Sequence, residues 1–93
     1  MRRRDEQGKL WTEDEVASEV IAIIRELSPG SGAASITLRT SLTKLGWDSW
    51  YRLRLLKPVR NRLHERLPAQ LVVDKAKTVA DIKDMVWALM EDE

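Results

Sequence analysis

The chain has no cysteine and no phenylalanine, and it has only three prolines, four glycines and one histidine. Without cysteine, neither a disulfide nor a thiolate metal site can staple the fold, and cysteine usage says nothing about the redox compartment. A lone histidine, His64, with no other strong ligand spaced near it, makes a poor metal site. No apolar run approaches the roughly 18–20 residues that span a bilayer. The basic start Met1-Arg2-Arg3-Arg4-Asp5-Glu6 has no apolar segment behind it, which argues against a secretory signal and makes a cytoplasmic location the expectation. Ninety-three residues provide one small domain with one modest core, so helical packing has to supply the stability.

A net charge of +1 conceals an uneven distribution. Between positions 52 and 66 the basic residues Arg52, Arg54, Lys57, Arg60, Arg62 and Arg66 face only Glu65, whereas from position 81 onward Asp81, Asp84, Glu91, Asp92 and Glu93 face only Lys83. The basic stretch has three readings: a solvated face, a docking surface for acidic proteins, or a phosphate-contacting nucleic-acid surface. An acidic final segment and the lack of a short helix-turn-helix connection weigh against the last.

Residues 1 to 11 are polar without a sustained period and read as a frayed leader in which Leu10 and Trp11 can dock. Thr12-Glu13-Asp14-Glu15 is a capping box that opens a first helix, with Val16, Val20, Ile23, Ile24 and Leu27 on one face and Ser28-Pro29-Gly30 as its end. A small-residue loop follows from Pro29 to Ser35, and Ile36, Leu38, Leu42 and Leu45 are expected to anchor its continuation to the core. A second helix is expected from Ser49 to about Leu67, burying Leu53, Leu56, Val59, Leu63 and Leu67. Pro58 should kink it, since proline lacks the amide donor and clashes with the carbonyl of Arg54. A short turn with Val72, Val73 and Ala76 then leads to a second capping pattern, Thr78-Val79-Ala80-Asp81. This opens a last helix with Val79, Ile82, Val86 and Leu89 on its face and Met85 and Met90 beside it.

The stretch Leu45-Gly46-Trp47-Asp48-Ser49-Trp50 places an aspartate where it can cap the second helix, and so puts Ser49 at the first helical position with its hydroxyl outward. A phosphate ester there would lie near free backbone amides. Ser49 is not placed as an activated nucleophile: His64 lies roughly 22 Å along the same helix at 1.5 Å per residue, and a Ser–His pair needs hydrogen-bond reach. Trp47 and Trp50 flank the serine. They are either packing residues or an apolar contact surface for a ligand arm or a partner, and Trp11 and Trp87 read as structural.

This stretch resembles the leucine-glycine-x-aspartate-serine-leucine signature of acyl carrier proteins and carrier domains. Pro68 and Thr78-Val79-Ala80-Asp81-Ile82 fall where that family ends its second helix and starts its last, so the resemblance covers residues 12 to 91. Trp50 in place of leucine, Pro58 and the basic second helix depart from the family. The resemblance implies an all-α, acyl-carrier-like four-helix bundle of three longer helices and a short third one, preceded by a flexible leader at 1 to 11. It implies 4′-phosphopantetheine, derived from coenzyme A, on Ser49, holding acyl or polyketide intermediates as thioesters without catalysis by the chain itself. The implied partners are a phosphopantetheinyl transferase and the ketosynthase, acyltransferase and other domains of a polyketide (or fatty acid) synthase, with no nucleic acid, no membrane and a monomeric state. The alternatives are a peptidyl carrier of nonribosomal peptide synthesis and, from another class, a small basic helical nucleic-acid-binding module.

Overall fold

Local capping sets the ends of the two longest helices. In the computed structural model, which describes residues 1–28, 30 and 35–93, the Glu15 N–H donates to the Thr12 hydroxyl at 3.2 Å and the Thr12 N–H donates to the Glu15 carboxylate at 2.7 Å. Thr78 and Asp81 repeat this reciprocal arrangement, which satisfies two orphan donors at each helix start. The elements in chain order are β1 (Arg2–Arg4), β2 (Leu10–Thr12), α1 (Glu13–Leu27), α2 (Ser49–Arg52), a 3₁₀ turn (Leu53–Leu55), α3 (Leu56–Leu63), α4 (Ala69–Lys75), α5 (Val79–Leu89) and β3 (Glu91–Asp92). Of the small-residue loop expected from Pro29 to Ser35, Pro29 and positions 31–34 lie outside the described residues.

Counting α2, the 3₁₀ turn and α3 as one run, the described residues form four helical segments and a small antiparallel sheet of order β2-β1-β3. The sheet corrects the all-α expectation, and it replaces the frayed leader at residues 1 to 11 with a hairpin. The reason is partly local. Asp5 and Gly8 are the first and last residues of a turn closed by Gly8 N–H to Asp5 C=O at 3.0 Å, with Gly8 at φ 86°, and Leu10-Trp11-Thr12 is rich in strand formers. The remainder is charge meeting charge across the whole chain, since Arg3 and Arg4 pair in register with Asp92 and Glu91.

The core runs through Trp11, Val16, Val20, Ile23 and Ile24 of the N-terminal part and through Val72, Val79, Ile82, Val86 and Met90 of the C-terminal part, all buried. Burying each such side chain contributes about 1.5–3 kcal/mol. Leu89, expected on the buried face of α5, is 39% exposed, and Met90 takes the inward place. Among the described residues no helix is long and apolar enough to cross a membrane.

The second helical run differs from the single helix, kinked at Pro58, expected from Ser49 to about Leu67. It tightens at Leu53–Leu55, where the Leu56 N–H donates to the Leu53 carbonyl, and it resumes as α3, so that Pro58 falls in a first turn. Amides in a first helical turn have no intrahelical acceptor, so the missing donor costs little there. The break shifts the buried face to Leu55, Val59 and Leu63, leaving Leu53 and Leu56 half-buried. α3 stops at Leu63 rather than Leu67, because His64 turns left-handed at φ 57°. Pro68 then caps α4 in extended geometry, making a seven-residue helix of the expected short turn.

Candidate functional site

Ser49 is positioned by the loop before it. Three hydrogen bonds tie that loop to the start of α5: Leu42 N–H to Lys77 C=O at 2.9 Å, Val79 N–H to Thr40 C=O at 3.0 Å and Ala80 N–H to Leu38 C=O at 2.8 Å. Ile36 and Leu42 are fully buried and Leu38 and Leu45 half-buried, so all four expected anchors face the core. The chain then folds back on itself. Trp47 N–H reaches Leu42 C=O at 3.1 Å around Gly46, whose φ of 84° lies in the region that favours glycine.

Asp48 caps α2 as its residue type predicts, accepting from the Tyr51 N–H at 2.7 Å. Ser49 is accordingly the first residue of α2 and is exposed, and no described residue hydrogen-bonds its hydroxyl. The two flanking indoles part company. Trp47 is 4% exposed and meets Tyr51 edge to face with ring centroids 4.9 Å apart, whereas Trp50 is 80% exposed. Tyr51 anchors the helix start by donating its hydroxyl to the Leu27 carbonyl at the end of α1, and it carries the Arg54 guanidinium 4.9 Å above its ring.

The basic stretch is not one surface. Arg62 points to α1, pairing with Glu26 at 2.8 Å and lying 3.8 Å from Glu19, and Arg52 turns back to the Thr43 hydroxyl at 3.2 Å. Lys57, Arg60 and Arg66 make no ion pair with a described residue and remain outward. Lys57 and Arg60 line a shallow groove with Leu56 and Asn61.

Ser49 opens the helical run and His64 ends it, and His64 is not an isolated surface residue. Its Nδ1 lies 2.7 Å from Asp5 Oδ2. Asp5 is 5% exposed and also receives Trp11 Nε1–H at 2.9 Å, Gln7 N–H at 2.9 Å and Lys9 N–H at 3.0 Å. Burial pushes the Asp5 carboxyl up, but the hydrogen bonds from Trp11, His64, Lys9 and Gln7 together prevail and hold it below its ordinary value. A carboxylate only accepts, so the proton in the pair sits on His64 Nδ1. Sequence reading missed this cluster. Its one local signal was the Asp5-to-Gly8 turn spacing; the contact with His64, 59 positions away, left none.

Among the described residues no cluster of histidine and carboxylate side chains could hold a metal ion. No protein-family model, no curated protein and no solved structure matches this chain.

Proposed function

We propose that the chain is an acyl carrier domain that receives 4′-phosphopantetheine on Ser49 and serves polyketide or fatty acid assembly without catalysing a step itself. The observation that carries this is Ser49: an exposed serine with an unpartnered hydroxyl, first in a helix capped by Asp48, within Leu45-Gly46-Trp47-Asp48-Ser49. The residues fit a covalently attached arm. The hydroxyl is open to an incoming transferase, Gly46, Asp48 and Trp50 around it are exposed, and the Trp47–Tyr51 contact beneath holds the helix start still. The arm would supply a terminal thiol that carries acyl groups as thioesters, chemistry that a cysteine-free chain lacks. The test is intact mass after incubation with coenzyme A and a broad-specificity phosphopantetheinyl transferase. Wild type should gain the mass of one phosphopantetheine and Ser49→Ala none; an unmodified wild type, or a modified alanine variant, refutes the assignment.

Lys57 and Arg60, unpaired and outward beside α2, supply the docking surface for acidic partners in this reading. Reversing both charges, Lys57→Glu with Arg60→Glu, should slow loading by the transferase by about tenfold at low salt. The defect should shrink as the Debye length falls to about 8 Å at 0.15 M, with the thermal midpoint unchanged. Equal loading rates combined with tight wild-type binding to random duplex DNA would instead favour the nucleic-acid module.

A further inference from the structure

Glu65 is a carboxylic acid buried where no catalytic or carrier role uses it. It follows the left-handed residue His64 just beyond α3 and is 3% exposed. The hollow around it is lined by Arg4, Asp5 and Glu6 of the hairpin, by its neighbour Arg66, and by Leu89 and Glu91 at the end of α5 and start of β3. Three segments far apart in sequence meet at this one carboxyl, and among them they bring three further acids. The Glu6 backbone N–H favours the charged form of Glu65. Neither Arg4 nor Arg66 comes within 4.0 Å ion-pairing distance of it.

We propose that Glu65 makes the junction between the N-terminal hairpin and the helices a pH-sensitive clasp, closed while its carboxyl is protonated and loosened when it ionises. In the closed state burial, then the negative charges of Glu6 and Asp5, push the carboxyl up to about 7 against the pull of the Glu6 N–H; Glu91 adds a smaller push. With the hairpin lifted, Glu65 faces water and returns toward its ordinary 4.5. The closed form therefore keeps a proton that the open form has released. Its advantage falls as pH rises from about 4.5 to about 7 and is constant above that. Neither His64 nor the surrounding acids offset this. His64 is engaged with Asp5, Asp5 is already ionised across the window, and Glu6 and Glu91 repel the new charge. Arg4 and Arg66 are the two cations able to answer it, and doing so would draw the hollow together rather than open it. Because β1 also carries β3, loosening the hairpin frees both chain ends at once. The proposal does not depend on what happens at Ser49.

The measurement is residue-resolved amide exchange at pH 6 and pH 8, corrected for the intrinsic rate. The amides of Asp5, Gly8 and Lys9, whose hydrogen bonds close the hairpin turn, should lose about tenfold in protection relative to amides inside α5. Glu65→Gln, which keeps the shape and cannot ionise, should remove the difference. Carbon-detected titration of the Glu65 carboxyl in wild type gives a second readout that needs no variant, with a midpoint expected near neutrality. Hairpin protection that stays constant while Glu65 titrates would mean that Arg4 and Arg66 absorb the charge, and would overturn the clasp. So would a pH dependence that survives in Glu65→Gln, or a Glu65 that titrates in the ordinary carboxylate range.

Discussion

Replacing Asp5 with alanine is expected to destabilise the protein by about 3–5 kcal/mol, since several buried donors lose their shared acceptor together. The reason is how much one side chain satisfies. Oδ1 accepts from the Gln7 and Lys9 amides and Oδ2 from the Trp11 indole and His64, so alanine leaves four donors without an acceptor, two of them inside the hairpin turn. A buried donor left unpaired costs about 1–3 kcal/mol. Asp5→Asn separates charge from shape. Its amide can accept on one side only and must set N–H against N–H on the other, so it should recover part of the loss. His64→Ala removes one donor and no acceptor and should cost less than either. Denaturant midpoints at neutral pH measure all three. The difference between wild type and Asp5→Ala should also depend on pH. The folded Asp5 carboxyl lies below its ordinary 3.8, so its contribution is fully present above that value and disappears as pH falls through the lower, folded one. Equal midpoints for wild type and Asp5→Ala would show that the hairpin is not held by this cluster.

The two tryptophans beside Ser49 should behave as opposites. Trp47→Ala is expected to cost about 3–5 kcal/mol, as for other large-to-alanine changes in a packed interior. It empties the site against which Tyr51 stands edge to face and from which the Asp48 cap is presented. Trp50→Ala should change stability by no more than about 0.5 kcal/mol, since an 80% exposed indole loses few contacts. Thermal or urea unfolding of both variants settles the contrast. In the carrier reading the same pair separates structure from recognition. Trp47→Ala should slow loading of Ser49 by blurring the helix start, while any loading defect in Trp50→Ala must come from contact with the transferase. A large loss of stability in Trp50→Ala, or none in Trp47→Ala, would reverse the roles assigned to them.

Several features were legible in the linear sequence because the interactions that make them span a single turn. The boxes at Thr12–Glu15 and Thr78–Asp81, the Asp48 cap and the exposed first-turn place of Ser49 all depend on partners three residues away, and all are present. The anchors Ile36 and Leu42 were readable for a related reason: apolar side chains in a polar loop have nowhere to go but the core. The register of the second helical run was not legible. Periodicity pointed to Leu53 and Leu56, but a 3₁₀ turn just ahead of Pro58 advances the rotation and turns Leu55 inward instead. Residues 2 to 12 lay further out of reach. An arginine run and an acidic tail each look like solvated charge when read alone. Only folding brings Arg3 to Asp92 at 3.0 Å and to the Trp87 ring, sets Arg4 opposite Glu91, and closes Asp5 onto His64. Those pairings join positions 59 to 89 apart. Sequence determines directly what neighbours do to one another; contacts between distant segments exist only once the helices between them have packed and set the distance.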